Sequence, residues 1–453
     1  MPPLIIVGGK TNKIRRIEPT PMSRFLYSSL FFLLTPLILL RLLLRSLKAP
    51  AYRRRIHERF ALQRRPAGRD LARRLIWIHA VSVGETVAAA PLVKELQHAY
   101  PDYQILITCM TPTGSERVKA LFGETVLHAY LPYDTAGSMR RFVSKYQPNL
   151  LILMETELWP NLIHNCGRAG VPVVLANARL SERSARGYRR FAALTRKMLQ
   201  SLELIAAQSQ DDAQRLIDAG APADDVRVTG SLKFIVDVDH GAPLAAGVFD
   251  AINDSNRVVI IASSTRDGEE EKVLNAFKRV LEVHPHTLLL VVPRHPERFD
   301  AVAKLIKDRG FVLGRRSHNE PLTTEMQVYL GDSMGEMMSY YRLASVAFVG
   351  GSLVDTGCQN VLEPAAFGVP IVTGPSQYNF ATICRQLESE SALRTVANEE
   401  ELADFLIDLV PDWARQGEMG RRAKTLVEQN QDALPALLNL LEPILRPEGE
   451  PTA

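Results

Sequence analysis

Disulfide frameworks, metal-ligand clusters and phosphate-loop glycines are all missing from this 453-residue chain. Its four cysteines, Cys109, Cys166, Cys358 and Cys384, lie far apart, with no C-x-x-C pair and no His–Cys spacing of a zinc site. They read as reduced cytosolic thiols. Neither a P-loop nor a G-x-G-x-x-G occurs, which removes the best-marked nucleotide-binding turns. Charge of one sign is scarce as well. The formal balance is only +4, and the basic residues crowd the first seventy positions, so no field for nucleic acid is present. No internal repeat of solenoid length occurs. What remains is an ordinary globular composition, 46% hydrophobic and 23% charged, at a length that suits two domains of roughly 200 residues each.

One apolar run breaks that average. Residues 25–40 carry no charge, and only Arg41 and Arg45 interrupt a stretch that reaches Leu44. About 20 such residues suffice to cross hydrocarbon as a helix. Lys48, Arg53, Arg54 and Arg55 follow in place of a small-residue cleavage site, which favours a retained anchor over a signal peptide and a cytoplasmic body over an exported one. Pro36 and the two arginines leave open whether the helix spans the bilayer or lies in its interface. Met22 offers a second start, so residues 1–21 are set apart as an extension and 22–46 as the anchor.

Beyond residue 70, strand-like runs alternate with helical spacing. The runs are 75–79, 105–108, 150–154, 171–176 and 204–207, then 258–262, 288–292, 328–330, 346–349 and 371–373. This alternation predicts parallel, doubly wound α/β sheets. A Gly-, Pro- and Asp-rich stretch separates the two series. The expected plan is an N-terminal Rossmann-like domain over 47–235, a linker over 236–256, a second Rossmann-like domain over 257–446 and a flexible tail over 447–453. Two such domains facing across a cleft make the GT-B arrangement, with ligands off the carboxyl ends of the strands.

Several segments at those ends can carry chemistry. His79-Ala-Val-Ser82-Val-Gly84-Glu85 leaves a strand and opens a helix. Ser82 and Glu85 have capping-box spacing, yet a partly buried carboxylate there can also take a proton from a hydroxyl. Both readings stay open. Met154-Glu155-Thr-Glu157-Leu-Trp159 puts two carboxylates after an apolar strand, and the arginines 183, 186, 189 and 190 form a solvated face or a phosphate-binding one. Lys233 in Gly230-Ser-Leu-Lys-Phe can neutralise a leaving phosphate. Asp237 and Asp239 have the D-x-D form of metal binding, a pattern too short to weigh. In the second half, strand ends at Pro293-Arg294, at Ser333-Met334-Gly335-Glu336 and at Gly350-Gly351-Ser352 offer backbone N–H groups and one full charge to an anion. Asn360-Val361-Leu362-Glu363 adds a carboxylate for dipole complementation or ribose hydroxyls.

Taken in order from about 52 to 440, these segments resemble the bacterial 3-deoxy-D-manno-octulosonic acid (Kdo) transferases that act on lipid A precursor. The motifs are H-x-x-S-V-G-E, T-P-T-G-S-E-R (111–117), L-P-Y-D (131–134), M-E-T-E-L-W-P-N-L, N-A-R-L-S-x-R-S, A-A-Q-S, G-S-L-K-F, V-P-R-H-P-E-R-F, G-D-S-M-G-E and N-V-L-E. The resemblance implies an inverting, metal-independent glycosyltransferase that moves Kdo from CMP-Kdo to lipid A precursor (lipid IVA) at the cytoplasmic face of the inner membrane, with membrane lipid as its surroundings. By the same resemblance Glu85 is the proton acceptor, and Glu155 and Lys233 stabilise the transition state. CMP is then expected at Pro293, Arg294, Met334, Gly335, Glu336, Asn360, Val361, Leu362 and Glu363. No cofactor is implied. Cys358 stands where the family commonly has glycine, a substitution that matters if that position needs positive φ.

Overall fold

The computed structural model describes residues 21–48, 55–63, 68–236, 257–318, 320 and 322–446. The N-terminal extension, most of the expected linker with Asp237 and Asp239, and the tail lie outside the described residues. A 28-residue helix, Pro21–Lys48, comes first. Its stretch Arg24–Leu42 is long and apolar enough to cross a membrane by length and composition. Pro36 supplies no N–H to this helix, and the hydroxyl of Thr35 just before it donates to the Phe31 carbonyl one turn back at 2.9 Å.

Two compact units follow from the division of contacts: residues 1–233 with 432–453, and residues 234–431. The first holds strands β1 Leu75–His79, β2 Gln104–Cys109, β3 Leu127–Tyr130, β4 Leu150–Met154, β5 Val173–Ala178, β6 Leu204–Ala207 and β7 Val226–Val228. They form one parallel sheet in the order β3-β2-β1-β4-β5-β6-β7. The second unit holds β8 Val259–Thr265, β9 Leu288–Pro293, β10 Leu313–Arg315, β11 Val328–Leu330, β12 Val346–Val349, β13 Ile371–Thr373 and β14 Leu393–Thr395. Its sheet is parallel too, in the order β10-β11-β9-β8-β12-β13-β14. Strand order reverses between β1 and β4 in one sheet and between β8 and β12 in the other. Those switch points are where doubly wound sheets open a crevice at their carboxyl ends.

All ten expected strand runs fall on strands. The four that sequence pattern passed over are β3, β7, β10 and β14, the edge strands of the two sheets. Helices cover both faces of a central strand, so LIWIH and LLILM are buried at every position. An edge strand is wetted from the side, and β7 buries only Val226. Its sequence therefore carries no continuous apolar signal.

The expected second domain over 257–446 differs from the fold at its end. Helix Ala433–Leu445 returns to the first unit and packs on helix Val83–Ala99. The Tyr103 hydroxyl donates to the Leu445 carbonyl at 2.7 Å, and the Arg446 guanidinium lies 4.9 Å from the Tyr100 ring centroid. One stripe, Ala433, Leu437, Leu441 and Leu445, is buried. An amphipathic helix follows its apolar face rather than sequence order.

Candidate active site

In the first unit, Glu85 and Glu155 follow β1 and β4, the two strands that flank the switch point. Glu85 sits in the first turn of helix Val83–Ala99, whose N-cap is Ser82. The Ser82 Oγ accepts the Glu85 N–H at 3.3 Å while donating to Oε1 at 2.8 Å, and Oε2 accepts the Val81 N–H at 2.8 Å. The capping box is thus formed. The carboxyl is nonetheless pushed up to about 7, chiefly by burial and also by the charges of Glu157 and Glu155, against the pull of the Val81 and Ser82 hydrogen bonds. Capping and proton transfer are therefore not rivals in this geometry. The same side chain is held at two oxygens and poised near neutrality.

Glu155 has φ 57°, in the left-handed region that a side chain with a Cβ seldom adopts. This turn points its carboxylate at Lys233, whose Nζ is 2.6 Å from Oε1. Lys233 is itself placed by residues far off in sequence. Asn177, also left-handed at φ 52°, accepts the Leu232 N–H on Oδ1 at 3.0 Å, and the Gln208 amide holds the Asn177 carbonyl at 2.9 Å. Asn177 and Gln208 belong to N-A-R-L-S and A-A-Q-S, motifs in which sequence reading gave these two residues no role. Glu157 accepts the Trp159 indole N–H at 2.9 Å, and burial pushes its carboxyl up. Three carboxylates and one lysine thus share a single field. His79, fully buried and held down to about 4 by that burial, has its Nδ1 2.9 Å from the Thr108 hydroxyl and 3.1 Å from the Thr108 carbonyl. Arg183, Arg186, Arg189 and Arg190 are exposed.

In the second unit, Pro293 closes β9 and is buried, while Arg294 is exposed, its N–H bonded to the Thr265 carbonyl at 3.1 Å. Glu363 is half-buried and its carboxyl is raised, first by desolvation, with Asn360 and the charge of Arg294 opposing. Asn360 donates to Glu363 Oε1 at 3.1 Å and accepts the Leu362 N–H, the first of the short helix Leu362–Ala366, at 3.1 Å. Val361 and Leu362 are buried beneath it. Arg294, Asn360 and Glu363 are therefore neighbours. Sequence reading missed Arg266, which lies in the field of Arg294 and of Tyr378, a ring 61% exposed.

The two other strand ends differ from one another. The Glu336 carboxylate pairs with Arg316, 2.8 Å from Nη2, and also takes the Ser333 hydroxyl. This leaves the backbone of the loop, with Gly335 at φ 86° and Met334 59% exposed, as what it can present to a ligand. At Gly350-Gly351-Ser352 the amides offered to an anion are already taken. Glu269, with no exposed surface, accepts Gly351 N–H at 2.7 Å, Ser352 N–H at 3.0 Å, Leu353 N–H at 2.9 Å and Arg266 N–H at 3.1 Å. The Cys358 substitution costs nothing in backbone strain, because the left-handed residue is Gly357 at φ 77°. Cys358 instead packs in the core with its Sγ 3.8 Å from that of Cys384. Among the described residues no group of three or more His, Cys, Asp or Glu side chains is placed to hold a metal.

Two parallel sheets, each with the expected site residues off its carboxyl ends, make the GT-B fold. The fold agrees with the crystal structure of MurG from Acinetobacter baumannii, at a TM-score of 0.50 and 12% identity over 82% of this chain and 99% of that one. The family model described as 3-Deoxy-D-manno-octulosonic-acid transferase (kdotransferase) matches residues 54–236. A 3-deoxy-D-manno-octulosonic acid transferase of Haemophilus influenzae is 42% identical over 94% of this chain and 99% of its own length. The C-terminal CMP-Kdo binding domain of WaaA from Acinetobacter baumannii is 32% identical, covering 40% of this chain and 98% of that domain, at a TM-score of 0.37. The chain belongs to the Kdo transferase family.

Proposed function

We propose that this protein transfers Kdo from CMP-Kdo to a hydroxyl of lipid A precursor (lipid IVA), with inversion, at the cytoplasmic face of the inner membrane, held there by its N-terminal helix. The observation that carries the reading is Glu85, a buried carboxylate raised to about 7 at the switch point, in the field of Glu155, which is itself ion-paired with Lys233. Glu85 takes the proton of the attacking hydroxyl as the new bond forms at the anomeric carbon. The bond from that carbon to the CMP phosphate breaks, and CMP leaves with the electron pair. Lys233, positioned by Glu155, meets the charge that develops. Arg294 and the amides of Met334, Gly335 and Glu336 hold the phosphate, while Asn360 and Glu363, on the buried shelf of Val361 and Leu362, hold the ribose. Pro293 shapes the turn before Arg294. The exposed arginines of 183–190 suit a phosphorylated acceptor.

Mass spectrometry after incubating the protein with lipid IVA and a CMP-Kdo-generating system tests this. The expected product is heavier by whole Kdo residues, and turnover persists in EDTA because the cations of the site are side chains. An unchanged acceptor mass refutes the proposal. Loss in EDTA restored by a divalent ion removes its metal-free mechanism.

A further inference from the structure

The first unit contains a cavity of about 220 Å³ walled by Phe31 and Ile38 of the N-terminal helix, by Leu131, Pro132 and Asp134, and by Trp159. Apart from Met110, the wall residues of the body come from L-P-Y-D and M-E-T-E-L-W-P-N, motifs in which the catalytic reading uses only Glu155. We propose that this cavity is a slot for one acyl chain of the lipid acceptor, an inference that rests on the lipid-acceptor reading above.

Three observations carry it. The cavity has no polar group to offer. Asp134, its one charged wall residue, spends its carboxylate on the Asn161 N–H at 2.9 Å, the Leu162 N–H at 2.8 Å and the Tyr27 hydroxyl. Dry apolar cavities of ~150 Å³ admit a benzene-sized hydrocarbon, so this one has room for a longer piece. Second, the helix wall is held in place by polar contacts rather than by grease alone. Tyr27 reaches Asp134, and the Ser28 hydroxyl donates to Asn161 Oδ1 at 3.1 Å. Phe31 and Ile38, about two turns apart, face the body, while Phe32, Leu33 and Leu37 between them are exposed as apolar surface. A chain entering from hydrocarbon therefore meets no water. Third, Trp159 is shared. Its ring walls the slot and its N–H bonds Glu157, which acts on Glu85. An acyl chain lodged here leaves its head group beside the carboxylates. The shared Trp159, which ties the slot to Glu157 and through it to Glu85, is what favours the acceptor over a bulk phospholipid as the occupant.

The test uses the full-length protein with Ile38→Trp, which plugs the slot, and Phe31→Ala, which widens it. Wild type must first turn over lipid IVA in phospholipid-free detergent; failure there overturns the acceptor reading and the slot with it, whereas the variants below test the slot alone. With that established, Ile38→Trp is expected to lower kcat/KM for lipid IVA on the order of 10-fold, and for the chemically deacylated acceptor by less than about 2-fold. Phe31→Ala should shift preference towards longer acyl chains. Equal losses on both acceptors, or none on either, overturn the proposal. So does weaker binding to phosphatidylethanolamine vesicles with both acceptors turned over as by wild type, the result expected of a bilayer-lipid site.

Discussion

Glu85 is where a single substitution separates structure from chemistry. Glutamine can still accept the Val81 N–H and leaves the Glu85 N–H bonded to Ser82, giving up an acceptor for the Ser82 hydroxyl, but it cannot take a proton, so Glu85→Gln should lower turnover by roughly 10²-fold or more. Melting temperature at neutral pH and CMP affinity should hardly fall. A variant retaining a third of wild-type turnover removes Glu85 as the base. The pH profile gives a second reading. The base works ionised, so wild-type kcat/KM should rise with pH and level off above about 7. Stability runs the other way. The folded carboxyl keeps its proton to about 7, whereas the unfolded one loses it near 4.5, so the folded state binds more protons between these values and wild type loses stability as pH rises through that window. Glu85→Gln should lack this slope, which melting curves from pH 4 to 8 would show. Glu155 allows a comparable separation. Its φ of 57° costs on the order of 1 kcal/mol for a residue with a Cβ. Both Glu155→Gly and Glu155→Ala should lose turnover, but the glycine variant should be the more stable of the two. Equal denaturation midpoints would mean that the turn carries no strain. Sequence marked Glu85, Glu155 and Lys233 because they follow strands or a motif. It could not show that Asn177 and Gln208 place Lys233, since those contacts span 55 and 31 residues.

Helix and strand identities were legible wherever burial is two-sided, and illegible at the sheet edges. The glycine loop after β12 shows a further gap. G-G-S at a strand end looks like an empty anion nest, but its N–H groups are filled by Glu269, 82 residues upstream of Gly351. A chain can supply its own anion, and no local pattern records that. Glu269→Ala should leave several buried N–H groups bare at about 1–3 kcal/mol each, minus what water recovers. The variant is expected to lose several kcal/mol of stability in urea titration, on the order of 3. A loss below about 1 kcal/mol would mean that the loop does not depend on this carboxylate. Asp134 plays the same part at helix Pro160–Arg168, where it accepts the N–H groups of Asn161 and Leu162 that Trp159, the N-cap, leaves unserved.

At the level of the molecule, deleting residues 1–46 should leave a protein that still binds CMP, because both sheets begin after residue 70. Tyr27 and Ser28 go with the deletion, so the Asp134 corner loses two partners and the melting temperature of the first unit should drop. A soluble deletion variant without CMP binding would show that the helix is needed for more than attachment. The return of helix Ala433–Leu445 to the first unit has a consequence in time. Ribosomes deliver chain from the N-terminus at roughly 5–20 residues per second, so about two hundred residues, some 10–40 s of synthesis, separate Lys233 from the helix that completes its unit. Throughout that interval the nascent unit exposes the face of helix Val83–Ala99 that the stripe from Ala433 to Leu445 will cover, the same helix that carries Glu85. A transcript stopped after Gln431 would make that waiting state permanent, a unit with every strand of its sheet and a bare apolar flank, fit for capture by a chaperone or for proteolysis.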